Sequence, residues 1–136
     1  MDPLKSISQI AASGMHVQSA RLQVVAENVA NADSTGATPG DEPYRRKTIS
    51  FQEALNRESG LTMVEVSDIG RDQSPFTLRH DPAHPAADEN GFVKMPNVSP
   101  ILEMANMREA SRSYEANMNL YEAGRRMRSQ MIDLLK

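Results

Sequence analysis

The sequence predicts a mainly α fold, in which long N- and C-terminal helices pair antiparallel as a coiled-coil-like inner domain and flank a small, irregular, β-rich middle segment. Seven of the eight prolines lie from Pro39 to Pro100, and five of the seven glycines lie in the middle segment. The terminal segments instead have apolar residues at alternating spacings of three and four, as helices that pack against helices do. The predicted division is therefore 1–32, 33–98 and 99–136.

The first helix is predicted over residues 1–32. Asp2 provides an acidic N-cap, and Pro3 fits the first helical position, where its missing N–H costs nothing. A cluster of turn-forming residues from Asn31 to Gly36 should end the helix. Its predicted seam, meaning the line of positions that faces another helix, is Leu4, Ile7, Ala11, Met15, Gln18, Leu22, Val25, Val29 and Ala32.

The second helix is predicted over residues 99–136, with Ser99 as N-cap and Pro100 at the first helical position. Glu103 falls in the first turn, where a negative charge suits the helix dipole. The seam is rich in methionine, which fills irregular gaps and tolerates several partners. Its predicted members are Met104, Met107, Ser111, Tyr114, Met118, Tyr121, Gly124, Met127, Met131, Leu134 and Leu135.

The middle segment is predicted to hold short strands. The first, over 44–49, includes the basic run Arg45-Arg46-Lys47. That run indicates either an anionic partner or a solvated strand edge that guards against aggregation, and we favour the strand edge. The capping-box spacing of Ser50 and Glu53 is typical of a short helix to residue 56. Further predictions are strands at 61–66 and 76–79 and a hairpin in which Asn90-Gly91 joins 88–89 to 92–95.

Composition excludes several classes of protein. A chain of 136 residues predicts one compact domain, and a formal net charge of −3 argues against a nucleic-acid partner. The absence of cysteine removes disulfide and thiolate chemistry. No apolar run approaches the roughly 20 residues that span a bilayer, so we expect no membrane-spanning segment. The N-terminus lacks the pattern of a secretory signal, and we expect any export to use another route.

The loop from His80 to Glu89 holds the one concentration of possible metal ligands or acid–base groups, among them His84, Asp81 and Asp88. The hypothesis that the chain is a small metal-dependent enzyme using this loop is the least favoured. A metal site needs three or four converging ligands, and the sequence has no HExxH helix or cysteine pair. The favoured alternative is a turn whose polar side chains hold backbone N–H groups. The sequence therefore predicts no enzyme, no cofactor and no metal.

The two helices indicate a protein that needs neighbours. Two helices that share one seam bury too little apolar surface to offset about 1.5 kcal/mol of ordering entropy per residue. A helix pair that is marginal alone gains stability from identical or related copies, which favours an assembly subunit. An export chaperone or adaptor, whose amphipathic helices hold a client protein, is the alternative from another class.

One segment resembles a known family. Val24-Val25-Ala26-Glu27-Asn28-Val29-Ala30-Asn31-Ala32-Asp33 is similar to the N-terminal signature of bacterial flagellar rod, hook and hook-associated proteins, although Glu27 stands where many members have a small polar residue. The runs His84–Val98 and Met107–Asn117 narrow the resemblance to the proximal-rod members of the flagellar basal-body rod family.

The resemblance implies a structural subunit of the flagellar proximal rod. Such a subunit polymerises with related rod proteins into a hollow shaft that transmits torque and conducts exported subunits. It would lie in the periplasmic part of the basal body and be exported by the flagellar type III apparatus. The implied partners are other copies of the chain, other rod proteins and the adaptor between rod and export gate. We assign helix packing and assembly to Leu22, Val25, Asn28, Val29, Asn31, Tyr114, Met118 and Tyr121, and expect Asn28 and Asn31 also to help close the first helix.

Overall fold

The computed structural model describes residues 2–136, which form two long helices and two small antiparallel sheets. Helix accounts for 47% and strand for 21% of the chain, so the fold is mixed rather than mainly α, although both predicted helices are confirmed. No helix in this described range is long and apolar enough to cross a membrane. The elements are α1 (Pro3–Ala30), β1 (Lys47–Asn56), β2 (Leu61–Arg71), β3 (Thr77–His80), β4 (Phe92–Met95) and α2 (Pro100–Leu134).

Local signals define the helix ends as predicted. The backbone N–H of Leu4 donates to Asp2 Oδ1 at 3.0 Å, which caps α1. After Ala30 the chain enters a turn in which the Ser34 N–H donates to the carbonyl of Asn31 at 3.1 Å. At the start of α2, the hydroxyl of Ser99 accepts from the N–H three residues later at 3.5 Å. These bonds occupy donors and acceptors that a helix end otherwise leaves unpaired.

The first sheet is a hairpin of β1 and β2. Its turn closes with a 2.7 Å bond from the Gly60 N–H to the Asn56 carbonyl, and Gly60 has a φ of 70°, which favours glycine. The short helix predicted to residue 56 is wrong, since residues 47–56 all belong to β1. Capping-box spacing is a local signal, and pairing with the 11-residue β2 outweighs it.

The second sheet pairs β3 with β4 in antiparallel register, from Thr77 opposite Met95 to His80 opposite Phe92. The predicted Asn90-Gly91 turn is present, with a φ of 82° at Gly91. The hairpin is confirmed only at this turn, across which the Asp88 N–H donates to the Phe92 carbonyl at 2.9 Å. Residues 88–89 form no strand, and β4 pairs with β3 instead. Val93 and Met95 of β4 are buried.

The chain divides into two compact units, and both helices contribute residues to each. Unit 1 contains residues 2–22, 49–68 and 108–136, and unit 2 contains residues 23–48 and 69–107. In unit 1 the buried apolar residues are Ala11, Val17 and Ala110. In unit 2 they are Val24, Val25, Val93 and Met95.

Within unit 1, α1 and α2 make contacts in antiparallel order. Arg21 Nη2 lies 3.1 Å from Glu109 Oε2, and at the other end Arg128 Nε lies 3.7 Å from Asp2 Oδ2. Between these pairs, the Asn117 side chain lies against Gly14 and the Ser8 side chain lies against Gly124. Each helix thus receives a polar side chain at a buried glycine of the other, which permits close approach.

The predicted seam of α2 is confirmed in part. Gly124 is buried, and the half-buried members are Met107, Ser111, Tyr114 and Tyr121. The predicted members Met104, Met127 and Met131 are instead 59%, 42% and 54% exposed. In unit 1 the buried residues of α2 are Ala110 and Gly124, because small residues fit the close contact with α1. On α1, Ala11 and Val25 are buried as predicted, and Gln18 is half-buried with an unpaired buried Oε1.

Gly14→Leu is expected to lower the free energy of unfolding by about 1–3 kcal/mol, the usual cost of overpacking. A Cβ atom at residue 14 would lie 2.7 Å from Asn117 Nδ2, so a leucine must displace that side chain and separate the helices. The midpoint of urea unfolding, followed by far-UV circular dichroism, measures this change. Ser19→Leu, at an exposed position of the same helix, is the control. Equal midpoints for the two variants would contradict the close contact.

Candidate functional site

Asn28 is the centre of a partly buried polar cluster in unit 2. Its side chain is 0% exposed. Its Oδ1 accepts from the Lys47 N–H at 2.8 Å and from the Tyr44 hydroxyl at 2.7 Å, and its Nδ2 donates to the Lys47 carbonyl at 3.0 Å. The same Nδ2 lies 3.4 Å from Glu103 Oε2. One amide therefore holds the end of α1 to the first residue of β1 and to the first turn of α2.

Glu103 is the buried charge of this cluster, with 1% exposure. Its Oε1 accepts a hydrogen bond from Arg46 Nε, and Arg46 Nη1 lies 3.7 Å from Asp72 Oδ2. A buried carboxylate is tolerated only when it is paired and hydrogen-bonded. The predicted place of Glu103 in the first turn is confirmed, but its contacts with Asn28 and Arg46 were not predicted.

Asn97 completes the cluster from the segment that precedes α2. Its Oδ1 accepts from the Arg46 N–H at 2.8 Å, and its Nδ2 donates to the carbonyls of Asp72 at 2.9 Å and Ser74 at 3.1 Å. We call Asn28, Tyr44, Arg46, Asp72, Asn97 and Glu103 the polar junction. It joins both helices of unit 2 to the middle segment through hydrogen bonds, whose geometry specifies one arrangement.

The basic run Arg45-Arg46-Lys47 is used inside the chain. Arg45 lies 3.6 Å from Glu42 and 4.3 Å over the Phe76 ring, and Lys47 Nζ pairs with a carboxylate oxygen of Glu27. The interpretation as a solvated strand edge is therefore wrong, because the charges of the run are paired inside the chain and only Lys47 belongs to β1. The alternative of an anionic partner is not tested by these contacts. The acids that pair with it are distant in sequence or lie in a loop, and the local pattern does not reveal them.

Two carboxyl groups that lie near the basic run, those of Glu27 and Asp72, have pKa values below their ordinary ones. The Lys47 ammonium, by its hydrogen bond, holds the pKa of Glu27 below its ordinary value. The hydroxyl and the N–H of Ser74 lower the pKa of Asp72, and the positive charge of Arg46 adds to this effect. Both groups are thus more acidic in the folded chain than in the unfolded one.

Above the ordinary pKa of these groups in the unfolded chain, the stability that the two carboxylates contribute is expected to be fully present. It is expected to be lost as the pH falls below about 4, towards the lower pKa values of the groups in the folded chain. Asp72→Asn should therefore flatten the acid side of the stability profile and leave the slope between pH 6 and 7 unchanged within error. Urea unfolding at stepped pH values measures both slopes. An acid-side loss in Asp72→Asn as steep as in the parent chain would contradict this assignment.

The predicted helix-packing residues lie in different surroundings. Val25 and Asn28 are buried in unit 2, where Val29 and Asn31 are half-buried. The Asn31 amide donates to the Glu27 carbonyl at 2.9 Å, and its Oδ1 accepts from the Ser34 hydroxyl at 3.0 Å. In unit 1, Leu22, Tyr114 and Tyr121 are half-buried, and Met118 is 37% exposed. A role in contacts with other subunits stays a prediction for these eight residues.

A second feature is the apolar surface of α2 in unit 1, meaning its large apolar side chains that the chain itself leaves exposed. They are 37–85% exposed, and the most exposed lie nearest the C-terminus. Large apolar side chains that are exposed to water gain free energy when a partner covers them. The members of the apolar surface are Met118, Leu120, Met127, Met131, Ile132 and Leu134 of α2, together with Leu135, which directly follows the helix.

The loop from His80 to Glu89 uses its polar side chains for its own turns. His84 Nδ1 accepts from the Ala86 N–H at 3.0 Å, and Nε2 lies 3.3 Å from Thr35 Oγ1. Asp88 Oδ1 accepts from the N–H groups of Asn90 and Phe92, both at 2.9 Å. Residues 2–136 contain no group of three or more His, Cys, Asp or Glu residues placed to hold a metal ion.

Two family models match the two ends of the chain. "Flagella basal body rod protein" matches residues 9–38, and "Flagellar basal body rod FlgEFG protein C-terminal" matches residues 89–134. The first match includes Asn28 and the second includes Asn97, Glu103 and the apolar surface except Leu135. The chain is thus of the flagellar rod class.

Curated relatives match along the full length. "Flagellar basal-body rod protein FlgC" of Agrobacterium fabrum is 54% identical over 136 residues, which are 100% of this chain and 98% of the relative. The protein of the same name from Salmonella typhimurium is 40% identical over 131 residues, 96% and 97% of the two chains. That of Borreliella burgdorferi is 35% identical over 150 residues, 98% of each. The chain belongs to the FlgC family of flagellar basal-body rod proteins.

Proposed function

We propose that the chain is a structural subunit of the bacterial flagellar proximal rod, which polymerises with related rod proteins into a hollow shaft. Relatives named as FlgC rod proteins, which this chain matches over at least 96% of its length in the three bacteria above, support the assignment. Membership of a structural family implies that the chain is not an enzyme. Its location would be the flagellar basal body, in the periplasmic section of the rod.

The observation on which the proposal rests most is the apolar surface of α2. Leu134 and Leu135 are each 85% exposed, and Met131 is 54% exposed. Burying apolar area contributes about 25 cal/mol per Å², so these side chains favour association with neighbouring subunits. The expected neighbours are further copies of this chain, other rod proteins and the adaptor between the rod and the export gate.

The antiparallel contacts in unit 1 support an inner domain built from residues 1–32 and 99–136. In this proposal the two helices pair in a coiled-coil-like manner and line the axial tube, while residues 33–98 reach towards neighbouring subunits. The polar junction would hold the middle segment to the helices when the rod is under torque, because hydrogen bonds of fixed geometry resist sliding better than apolar contacts alone.

Export through the flagellar type III apparatus fits the energetics of the chain. A subunit that crosses a narrow channel unfolded must not be too stable beforehand. In unit 1 the contact between the helices is made by small residues, and the large apolar side chains of α2 remain exposed. Both features are typical of a chain that is marginally stable alone. The absence of cysteine also means that no disulfide has to form or break on the way.

Complementation tests the proposal. Agrobacterium fabrum that lacks its own 54% identical relative should regain swarming when it expresses this chain, and the chain should be recovered in purified basal bodies. The endogenous protein, returned on the same plasmid, is the positive control. Recovery of the chain only from the cytoplasm as a stable soluble dimer, with no restored swarming, would contradict a rod subunit and would favour the chaperone alternative.

A further inference from the structure

Gln18 lies in unit 1 on the face of α1 that contacts α2. It follows Gly14, which receives the Asn117 side chain, by four residues, and it precedes Arg21, which pairs with Glu109, by three. Residues three and four apart lie on the same face of a helix. Gln18 is half-buried there, so its amide belongs to the contact between the two helices.

One oxygen of the Gln18 amide is buried without a hydrogen bond. Among the buried and half-buried side chains of residues 2–136, Gln18 alone has a buried oxygen or nitrogen, its Oε1, that lacks a partner. Water bonds this oxygen when the chain is unfolded, and folding removes that water without replacing it. A polar group buried in this way opposes folding, whereas an apolar side chain of the same length would favour it.

The other polar side chains at this contact bond their own helix. The Ser8 hydroxyl, which lies against Gly124, donates to the carbonyl of Leu4 at 3.1 Å. Asn117 Nδ2 donates to the carbonyl of Ser113 at 2.9 Å. The two ion pairs between the helices of unit 1 each include a side chain that is more than half exposed, and such pairs contribute little stability.

Unit 2 is held by stronger interactions. Its buried apolar residues are two valines of α1 with Val93 and Met95, whereas two of the three in unit 1 are alanines. In unit 2 the Asn28 amide also bonds both β1 and Glu103 of α2. Proteins open locally in cooperative units, and a unit with few buried apolar contacts opens at the lowest free energy. Unit 1 is therefore the weaker of the two.

We propose that Gln18 is a destabilising residue that lets unit 1 open while unit 2 remains folded. In the open state the small residues of the contact are exposed, and Gln18 Oε1 regains its water. The use of this opening in export rests on the proposed function, because a chain that is to be exported has to unfold again after synthesis.

Hydrogen exchange of the isolated full chain, followed by mass spectrometry of its peptides, tests the inference in a buffer that contains trimethylamine N-oxide. In the parent chain, peptides within residues 8–22 and 108–124 should exchange faster than those within 24–30 and 92–107, after correction for intrinsic rates. Gln18→Met keeps the length of the side chain and removes the oxygen. It should slow exchange in the unit 1 peptides about tenfold and leave the unit 2 peptides unchanged.

Gln9→Met is the matched control. Gln9 lies on the same helix in the same unit and is also half-buried, but it has no buried atom that lacks a partner. The same chemical change at this position should slow exchange in unit 1 by less than about twofold.

Three results would overturn the inference. They are equal slowing by Gln18→Met and Gln9→Met, equal slowing of both units by Gln18→Met, and equal exchange of the two units in the parent chain. None of them depends on the rod. Failure of the parent chain to restore swarming would instead defeat the proposed function and leave the exchange results standing.

Discussion

Asn28→Ala is expected to lower the free energy of unfolding by about 3 kcal/mol, because it leaves a buried oxygen of Glu103 and three partly buried groups of Tyr44 and Lys47 without this partner. The Lys47 N–H and carbonyl, the Tyr44 hydroxyl and one oxygen of Glu103 all bond the Asn28 amide. Alanine replaces none of these bonds, and water has no access to a side chain that is 0% exposed. Urea unfolding followed by far-UV circular dichroism measures the change, in a buffer that contains trimethylamine N-oxide to stabilise the folded chain.

The matched control is Asn119→Ala, at an exposed asparagine of α2, which should change the stability by less than about 0.5 kcal/mol. If the free energy of unfolding of the parent chain is smaller than this expected loss, Asn28→Ala should be unfolded without urea. Equal midpoints for Asn28→Ala and Asn119→Ala would show that the polar junction does not hold unit 2 together.

The paired substitution Met127→Glu with Met131→Glu is expected to abolish swarming and to lower the amount of chain in basal bodies at least about tenfold. The side chains are 42% and 54% exposed, so two carboxylates should leave the fold of the isolated chain intact. In an interface between subunits, however, each unpaired carboxylate would have to lose its water. Swarm diameter and immunoblots of purified basal bodies give the two readings.

Ser129→Glu with Gln130→Glu is the matched control, because it adds the same charge at exposed polar positions of the same helix. We expect this control to swarm at more than half the parent diameter. Parent-level recovery of the methionine variant in basal bodies would contradict the assignment of the apolar surface to contacts between subunits.

The helices could be predicted from the sequence because their signals are local. Asp2 and Ser99 cap the helices that follow them, and each bond spans two or three residues. The turn at Asn90-Gly91 is likewise encoded in adjacent residues. The strand that pairs with β4 is not determined by adjacent residues, so the pattern of 88–95 predicted a wrong strand partner. For the same reason, local spacing predicted a helix where β1 lies.

The polar junction could not be predicted, because its bonds join residues far apart in sequence. Arg46 and Glu103 are separated by 57 residues and Asn28 and Glu103 by 75. At Glu103 the local pattern therefore indicated only a favourable interaction with the helix dipole, and at the basic run it indicated a strand edge or an anionic partner. On α2, the hydrophobic periodicity indicated that the methionines pack inside, whereas four of them, Met104, Met118, Met127 and Met131, are exposed, and Ala110 and Gly124 are buried instead.

The most direct test of this account is a density map of the basal-body rod in which this chain is traced from end to end. The account predicts that Met131, Leu134 and Leu135 lie buried against neighbouring subunits, and that α1 and α2 of each copy remain side by side. Solvent around these three side chains in the assembled rod, or separation of the two helices within one copy, would contradict it.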